Sequence, residues 1–334
     1  MDIDFVIPWV DGNDPAWRRE KNKYMGIDEP DAGDDRYRDM RILKYWFRAV
    51  EKYAPWVNRI HFVTWGHLPD WLNTQHPKLH IVSHKDYIPE EYLPTFSSHP
   101  IELNFHRIPG LSEHFVYFND DMLLNGPVEP EFFFRRGLPC DCFQTCHIPF
   151  HPEDVHAHCV INSLRETNRK YSYAKIFLKH PTKIINPRYS LSVNIQNLLR
   201  LGNIHEITGL NNHHLAAAYR LQSFCDVWES SDVLLKHTSS KKFRSPFDMN
   251  QYIFRYEQLC SGAFYPVSEK NRGKVFAISN QNTQLINALQ DEEIKQVCIN
   301  DTPYPIDFER AVGQIIAAYE KKLPKKSMFE KIDF

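Results

Sequence analysis

Glycine is scarce in this chain, at 12 of 334 residues, about half the usual share. The twelve stand at 12, 26, 33, 66, 110, 126, 137, 202, 209, 262, 273 and 313, no two closer than seven apart. Both G-x-G-x-x-G and G-x-x-x-x-G-K-[ST] are therefore missing, and with them the two commonest backbone cradles for a phosphate. A nucleotide bound here has to be held by side chains, with or without a metal. Long apolar runs are lacking too: none approaches the ~18 residues of a membrane span, and Met1-Asp2-Ile3-Asp4 is acidic where a signal peptide is basic. There is no surplus of one charge. Lys+Arg number 40 against 42 Asp+Glu, a net of −2, which speaks against a protein that coats nucleic acid, because that affinity comes from excess cations. The seven cysteines are odd in number and scattered, so no disulfide framework is expected and a reducing cytoplasm is the expected compartment.

What is present is an ordinary globular composition, 42% apolar and 25% charged. The length suits about two domains, or one large α/β domain with insertions. Ile3 to Trp9 reads as a buried strand that stops at the turn cluster Val10-Asp11-Gly12-Asn13-Asp14-Pro15. Leu43, Trp46, Phe47 and Val50 repeat at helical spacing between Met40 and Tyr53. Strands follow at 59–64 and 79–83, with a short helical turn between them at Leu68 to Leu72. A fourth strand, His114 to Phe118, runs straight into Asn119-Asp120-Asp121. The alternation predicts an α/β fold with a mainly parallel, twisted, Rossmann-like sheet. Ligands in such sheets sit beyond the carboxyl ends of the strands, which is where Asp11 and the pair Asp120 and Asp121 fall. Helical patterns resume at Leu215 to Trp228, near Phe247 to Leu259, from Gln284 toward a strand end at Ile299, and from Phe308 to Tyr319. The intended organisation is one domain over 1–320 with an insertion or cap at 138–208, then a basic C-terminal tail, 321–334. Its lysines, at 321, 322, 325 and 326, are placed in solvent, or in weak contact with anionic lipid.

Two sets of residues offer chemistry. Paired acids at a strand end suit Mg²⁺ or Mn²⁺, which want hard oxygen ligands and often bridge a carboxylate to phosphates; Asp120 and Asp121 are the candidates. The competing set is the crowd of Cys140, Cys142, Cys146, His147, His151, His156, His158 and Cys159. Its C-x-C-x₃-C-H spacing matches none of the paired zinc forms, yet it leaves open a zinc-stabilised, non-catalytic binding module.

A resemblance spread along the chain bears on the choice. Ile3-Asp4-Phe5-Val6-Ile7-Pro8-Trp9-Val10-Asp11-Gly12 resembles the first block of the Stealth family of sugar-phosphate transferases of cell-surface polysaccharides, which includes the animal enzyme that adds N-acetylglucosamine-1-phosphate to lysosomal glycoproteins. The second block resembles Asp35-Arg36-Tyr37, the run Val50 to Val57, Leu93-Pro94-Thr95-Phe96-Ser97-Ser98, and the stretch from Ile101-Glu102 through His106-Arg107-Ile108-Pro109-Gly110 to Phe118-Asn119-Asp120-Asp121-Met122. The third resembles Asn212-His213, Val227-Trp228-Glu229 and Phe243-Arg244-Ser245-Pro246-Phe247-Asp248, and the fourth Val297-Cys298-Ile299-Asn300-Asp301. The third departs from the family's Asn-His-Met-Pro, since His213 is followed by His214-Leu215, so His213 is preferred as the functional histidine and His214 stays open.

The resemblance implies a glycosyltransferase-A-like fold and transfer of a hexose-1-phosphate from a UDP-sugar to a hydroxyl of a growing polysaccharide or lipid-linked oligosaccharide, with release of UMP. It implies Asp120 and Asp121 as metal ligands for Mg²⁺ or Mn²⁺, His213 as a base in the useful pKa range, and Arg244 on the diphosphate. Asp11, Gly12, Arg36, Asn119, Asn300 and Asp301 are implied in substrate binding. The expected partners are the donor, the glycan acceptor and other polysaccharide-synthesising enzymes, with no nucleic acid, in the cytoplasm or at the inner membrane face. A metal-dependent glycosyltransferase that releases UDP would use the same strand-end acids and remains the alternative within the transferases.

Overall fold

The computed structural model describes residues 1–25, 37–201, 206–270, 272–302 and 304–331. Its strands are β1 (Ile3–Trp9), β2 (Ile60–Thr64), β3 (Leu79–Ser83), β4 (His114–Tyr117), β5 (Met122–Leu124), β6 (Phe134–Arg135), β7 (Leu138–Asp141), β8 (Ala217–Arg220), β9 (Tyr265–Pro266), β10 (Lys274–Ala277) and β11 (Gln296–Asn300). Its helices are α1 (Pro15–Tyr24), α2 (Leu43–Tyr53), α3 (Ser98–Leu103), α4 (Pro130–Phe133), α5 (Val155–Lys170), α6 (Tyr173–Lys179), α7 (Pro181–Ile184), α8 (Leu191–Arg200), α9 (Leu221–Ser239), α10 (Tyr252–Ser261), α11 (Thr283–Gln290) and α12 (Phe308–Lys322).

The main sheet has the order β3-β2-β1-β4-β8, parallel except for β8 against β4. Phe5 is opposite Ile60 on one side and Val116 on the other, so β1 is central and covered on both faces. Alternate residues point to opposite faces. Phe5 and Ile7 join a core with Trp46, Phe47 and Val50 of α2 and Val312, Ile315 and Tyr319 of α12. Val6 joins a second core with Phe115, Tyr117, Phe224 and Phe254. One charge lies inside β1. Asp4 is fully buried, with Oδ2 2.9 Å from His61 Nε2 and accepting from the Ser112 amide at 2.9 Å, while Oδ1 accepts from Asn58 Nδ2 at 2.7 Å. Burial opposes the charge, but these bonds outweigh it and hold the carboxyl below its ordinary range.

Segment 138–208 carries β7 and α5 to α8. Its apolar residues, among them Phe143, Val160, Leu164 and Tyr173, share a third core with Tyr256, Leu259 and Phe264, so it is packed on α10.

Leu68 to Leu72 forms a single turn opening at Pro69, closed by the Leu72 amide on the Pro69 carbonyl at 3.0 Å. Two local expectations are corrected. The stretch 215–228 is not one helix: residues 217–220 form β8, because the open edge of β4 supplies ladder partners, and only then does α9 begin. The residues after α12 are not a free basic arm. Leu323, Ser327, Phe329 and Glu330 are buried, and Glu330 accepts from Arg48 Nε and Nη2 at 2.8 Å each, inside the body of α2.

Candidate active site

The site lies past the carboxyl ends of β1 and β4, and the local sequence shapes its walls. Asp14 caps α1 by accepting from the amides of Ala16 and Trp17 at 2.8 Å each, and Pro15 takes the first helical position. That directs Trp17 inward, where it meets Tyr37 edge-on at 4.8 Å and Phe96 at 5.8 Å. Gly12 is required by close approach: a Cβ there would stand 2.1 Å from the Tyr37 carbonyl oxygen. The Tyr37 hydroxyl donates to the Phe96 carbonyl at 2.9 Å. The loop 93–98 is tied to the loop before Arg244 by the Phe96 amide on the Lys242 carbonyl at 2.8 Å and the Thr95 hydroxyl on the Lys241 carbonyl at 3.1 Å. The cleft so formed is walled by aromatic side chains and opens on Asn119, Asp120 and Arg244. Arg244 Nη2 donates to Ser98 Oγ at 2.9 Å.

The acid pair occupies the turn between β4 and β5, and two sheets fix it. The Phe118 amide donates to the Val6 carbonyl in the main sheet, and the Ile299 amide donates to the Asp121 carbonyl in the small β10-β11-β5 sheet, both at 2.9 Å. Antiparallel pairing of Cys298 with Met122 brings β11 beside the turn. Burial, the neighbouring Asp121 and then Asp39 push the Asp120 carboxyl up to about 7. Asp39 is itself raised, by burial and then by Asp11 against the opposing Arg41 amide, which donates to Asp39 Oδ1 at 2.7 Å. Arg41 adopts φ +58°, the left-handed region uncommon outside glycine.

Asp121 Oδ2 is 3.2 Å from His214 Nε2, while Oδ1 is buried with no hydrogen-bond partner. Ligand atoms of Asp121, His214 and Cys298 all lie within 4.8 Å of one another, the one group of three or more that could hold a metal ion among the described residues. For His214, burial disfavours the charged ring but the bond and charge of Asp121 outweigh it, and its pKa is raised. Burial drives the Cys298 thiol strongly upward, and Sγ donates to Asn300 Oδ1 at 3.2 Å.

His213 points elsewhere. Its Nε2 is 3.1 Å from Glu269 Oε2 and 3.3 Å from Asn211 Nδ2. Burial, followed by the Arg255 charge, lowers its pKa to about 4, and burial with the Asp141 charge raises Glu269 to about 7. Arg255 anchors this region: it grips Asp141 through Nε and Nη2 at 2.8 and 2.7 Å and donates from Nη1 to the Asn211 carbonyl and Asn212 Oδ1.

The structure thus gathers Asp121, His214 and Cys298 at one point, with Asn119, Asp120 and Arg244 along the cleft. Asp11 accepts from the Asn13 amide at 2.8 Å in the turn after β1. Asp301 is engaged by Arg38 Nε and Nη2 at 2.9 and 3.0 Å. Arg36 lies outside the described residues. Residues of the Cys140 to Cys159 crowd have separate partners: Cys140 meets the Glu131 carbonyl, Cys159 the Ser245 carbonyl, His147 Arg200, and His158 the Pro152 carbonyl. Asp39, Glu269 and Arg255 were not singled out from sequence; each is an unremarkable charged residue there, and only tertiary contact marks it.

The chain matches two family models, Stealth protein conserved region 1 over residues 1–29 and Stealth protein conserved region 2 over residues 36–140. It is 40% identical to a capsular polysaccharide phosphotransferase WcwK of Streptococcus pneumoniae, covering 98% of this chain and 99% of that one. It is 38% identical to the receptor polysaccharide phosphotransferase WefC of Streptococcus oralis, over 98% and 99%. Against the exopolysaccharide phosphotransferase cps2G of Lactiplantibacillus plantarum the identity is 37%, over 99% and 97%. Among solved structures, the galactosyltransferase LgtC with donor and acceptor sugar analogs aligns at a TM-score of 0.38 and 10% identity, over 97% of this chain and 98% of that one. With relatives of this identity along its whole length, the chain belongs to the Stealth family and is a phosphotransferase.

Proposed function

We propose that the enzyme transfers a hexose-1-phosphate, of the galactose or N-acetylhexosamine type, from a UDP-sugar to a hydroxyl of a growing cell-surface polysaccharide or lipid-linked oligosaccharide, forming a phosphodiester and releasing UMP. The observation that carries this reading is the Asp121–His214 pair, with its unpartnered carboxylate oxygen, beside Asp120 at the mouth of an aromatic cleft that also holds Arg244. The aromatic walls suit a uracil ring, and the forked donors of Arg244 suit the diphosphate. Asp121 and His214, with the Cys298 thiol close by and Asp120 next in the turn, offer a place for a divalent cation: a buried carboxylate oxygen without a partner costs free energy that an ion would offset, and the paired carboxylates suit Mg²⁺ or Mn²⁺. Such an ion neutralises charge developing on the phosphates.

In the transfer the acceptor oxygen bonds to the sugar-bearing phosphorus while the bridging P–O bond to UMP breaks. The hydroxyl proton is assigned to His213, the base that the family resemblance implies; its ring is neutral at pH 7, but burial lowers its pKa to about 4, below the range expected of it from sequence, and its Nε2 faces Glu269 and Asn211 instead of the Asp121 cluster. Protein groups here mostly position reactants and balance charge, as phosphoryl transfer requires.

The test is turnover with UDP-Gal, UDP-Glc, UDP-GlcNAc and UDP-GalNAc, reading the released nucleotide and the ³¹P spectrum of the product. UMP with a phosphodiester resonance is expected; UDP without one would identify a glycosyltransferase and overturn the reading.

A further inference from the structure

Helix α8 is turned inside out. A surface helix ordinarily faces its apolar residues to the core. At ~100° per residue, Leu191, Ile195, Leu198 and Leu199 fall within about 100° of arc, and they are 75%, 47%, 57% and 71% exposed. The opposite, buried side carries Val193 and Asn197. This orientation is fixed by hydrogen bonds. Asn197 Nδ2 donates to the carbonyls of Phe143 and Ile184 at 2.7 and 2.8 Å, and Oδ1 accepts from the Thr145 amide and hydroxyl at 3.1 Å each. The Tyr173 hydroxyl of α6 donates to the Asn197 carbonyl at 2.7 Å. Rolling the helix to bury its leucines would strand that amide, so the apolar stripe is held outward.

The chain segment that carries it, between Glu166 and Glu206, is basic. From Thr167 to His205 the chain has seven Lys and Arg and no Asp or Glu. Arg169 and Lys170 are matched by Glu166 and Glu257, Lys183 donates to the carbonyls of Gly262 and Phe264, and Arg188 lies over the Tyr265 ring. Lys175 and Lys179 are exposed on α6, flanking Leu178, which is 80% exposed. An outward aliphatic stripe within a basic segment has the character of an interfacial helix.

We infer that the outer face of α8, with the end of α6, docks the enzyme peripherally on an anionic lipid bilayer. A second copy of the chain is a poorer occupant, since two such faces would bring like charges together with no acid in the segment to offset them. The groove beside α8, lined by Gln144, His147, Gln196, Leu199 and Arg200, extends to Asn211, which meets His213. On the reading that the acceptor is lipid-linked, docking turns this groove toward the surface from which it arrives.

The experiment is sedimentation of the full chain with vesicles of phosphatidylcholine, with and without phosphatidylglycerol, without donor, so that its outcome is independent of the proposed reaction. Salt-sensitive binding to the anionic vesicles is expected. The double variant Ile195→Asp, Leu198→Asp should lose at least about tenfold in affinity and Lys175→Gln about fivefold, with thermal midpoints unchanged because all three side chains are exposed. Unaltered binding by the double variant, or failure of the wild type to sediment, overturns the inference. So does a wild-type dimer in light scattering that the double variant dissociates, which would assign the face to a second copy.

Discussion

Substituting the adjacent histidines one at a time separates two kinds of dependence. His214→Ala removes the ring whose Nε2 lies 3.2 Å from Asp121 Oδ2, leaving both Asp121 oxygens without that partner and the Asp120–Asp121 repulsion unrelieved. Loss of partners one shell further from a metal already costs 10–100-fold in affinity, so loss of a direct ligand should raise the Mn²⁺ activation midpoint by about 100-fold or more, equivalent to ~3 kcal/mol. His213→Ala leaves that cluster intact and removes the ring that faces Glu269 at 3.1 Å. It should lower kcat by about 10²–10⁴, the range of general-base catalysis, with the metal midpoint unchanged. The assay is UMP release against Mn²⁺ concentration at saturating donor, with thermal midpoints to confirm folding. A His214→Ala enzyme with the wild-type midpoint, or a His213→Ala enzyme with near-normal kcat, refutes the assignment of that residue.

Three further outcomes follow from the surroundings of the site. Glu330→Ala removes the two-bond partner of the Arg48 guanidinium, whose side chain is 6% exposed; removing one partner of a buried pair costs about 3–5 kcal/mol, and the remaining Leu323 carbonyl at 2.8 Å and Glu320 carboxylate at 3.4 Å put the expected loss at the low end, ~2–3 kcal/mol by urea unfolding, so a loss below ~1 would show that this pair does not hold the C-terminal segment. Glu102 is buried and burial raises its carboxyl above 4.5. The native state therefore keeps a proton that the unfolded chain has released, and this contribution to stability is full below 4.5 and is lost as pH rises through the raised pKa; Glu102→Gln should flatten the fall of the thermal midpoint over that window, and an unchanged slope excludes Glu102 as its source. Gly12→Ala puts a Cβ 2.1 Å from the Tyr37 carbonyl and must displace the tyrosine that lines the cleft, so donor KM should rise by about tenfold or more with kcat less affected; an unchanged KM would place donor binding elsewhere.

The strands that deliver the site were legible because each is an apolar run stopped by turn residues: Ile3 to Trp9 before Asp11-Gly12, and His114 to Tyr117 before Asn119-Asp120. β8 was hidden because Ala216-Ala217-Ala218 has helical character locally, and only the free edge of β4 decides for strand. The motif favoured His213 and left His214 open; the fold separates them by sending the His213 ring to Glu269 and the His214 ring to Asp121. The lysines near the C-terminus suggested a solvated arm because Arg48 and Glu330, 282 residues apart, share no local pattern. Asn197 was equally silent, since nothing in a polar stretch signals that one amide will be fully bonded in a core and turn its helix outward.

The scarcity of glycine gains meaning from this arrangement. A glycine-rich loop holds phosphate with backbone amides that carry no net charge and need no counterion. Here carboxylates converge instead, with Asp11 acting on Asp39, Asp39 on Asp120, and Asp121 on Asp120. Two sheets clamp the turn that bears the pair, through Val6 on one side and Ile299 on the other, so the acids cannot move apart to relieve their repulsion. Such a site is unsatisfied by itself: it raises Asp120 to about 7 and leaves one Asp121 oxygen buried without a donor. The proposed cation and the phosphates it accompanies supply the missing charges of both signs. An enzyme built this way depends on individual side chains for donor binding, and Gly12 serves it by letting Tyr37 close the cleft, with no phosphate contact required of the glycine itself.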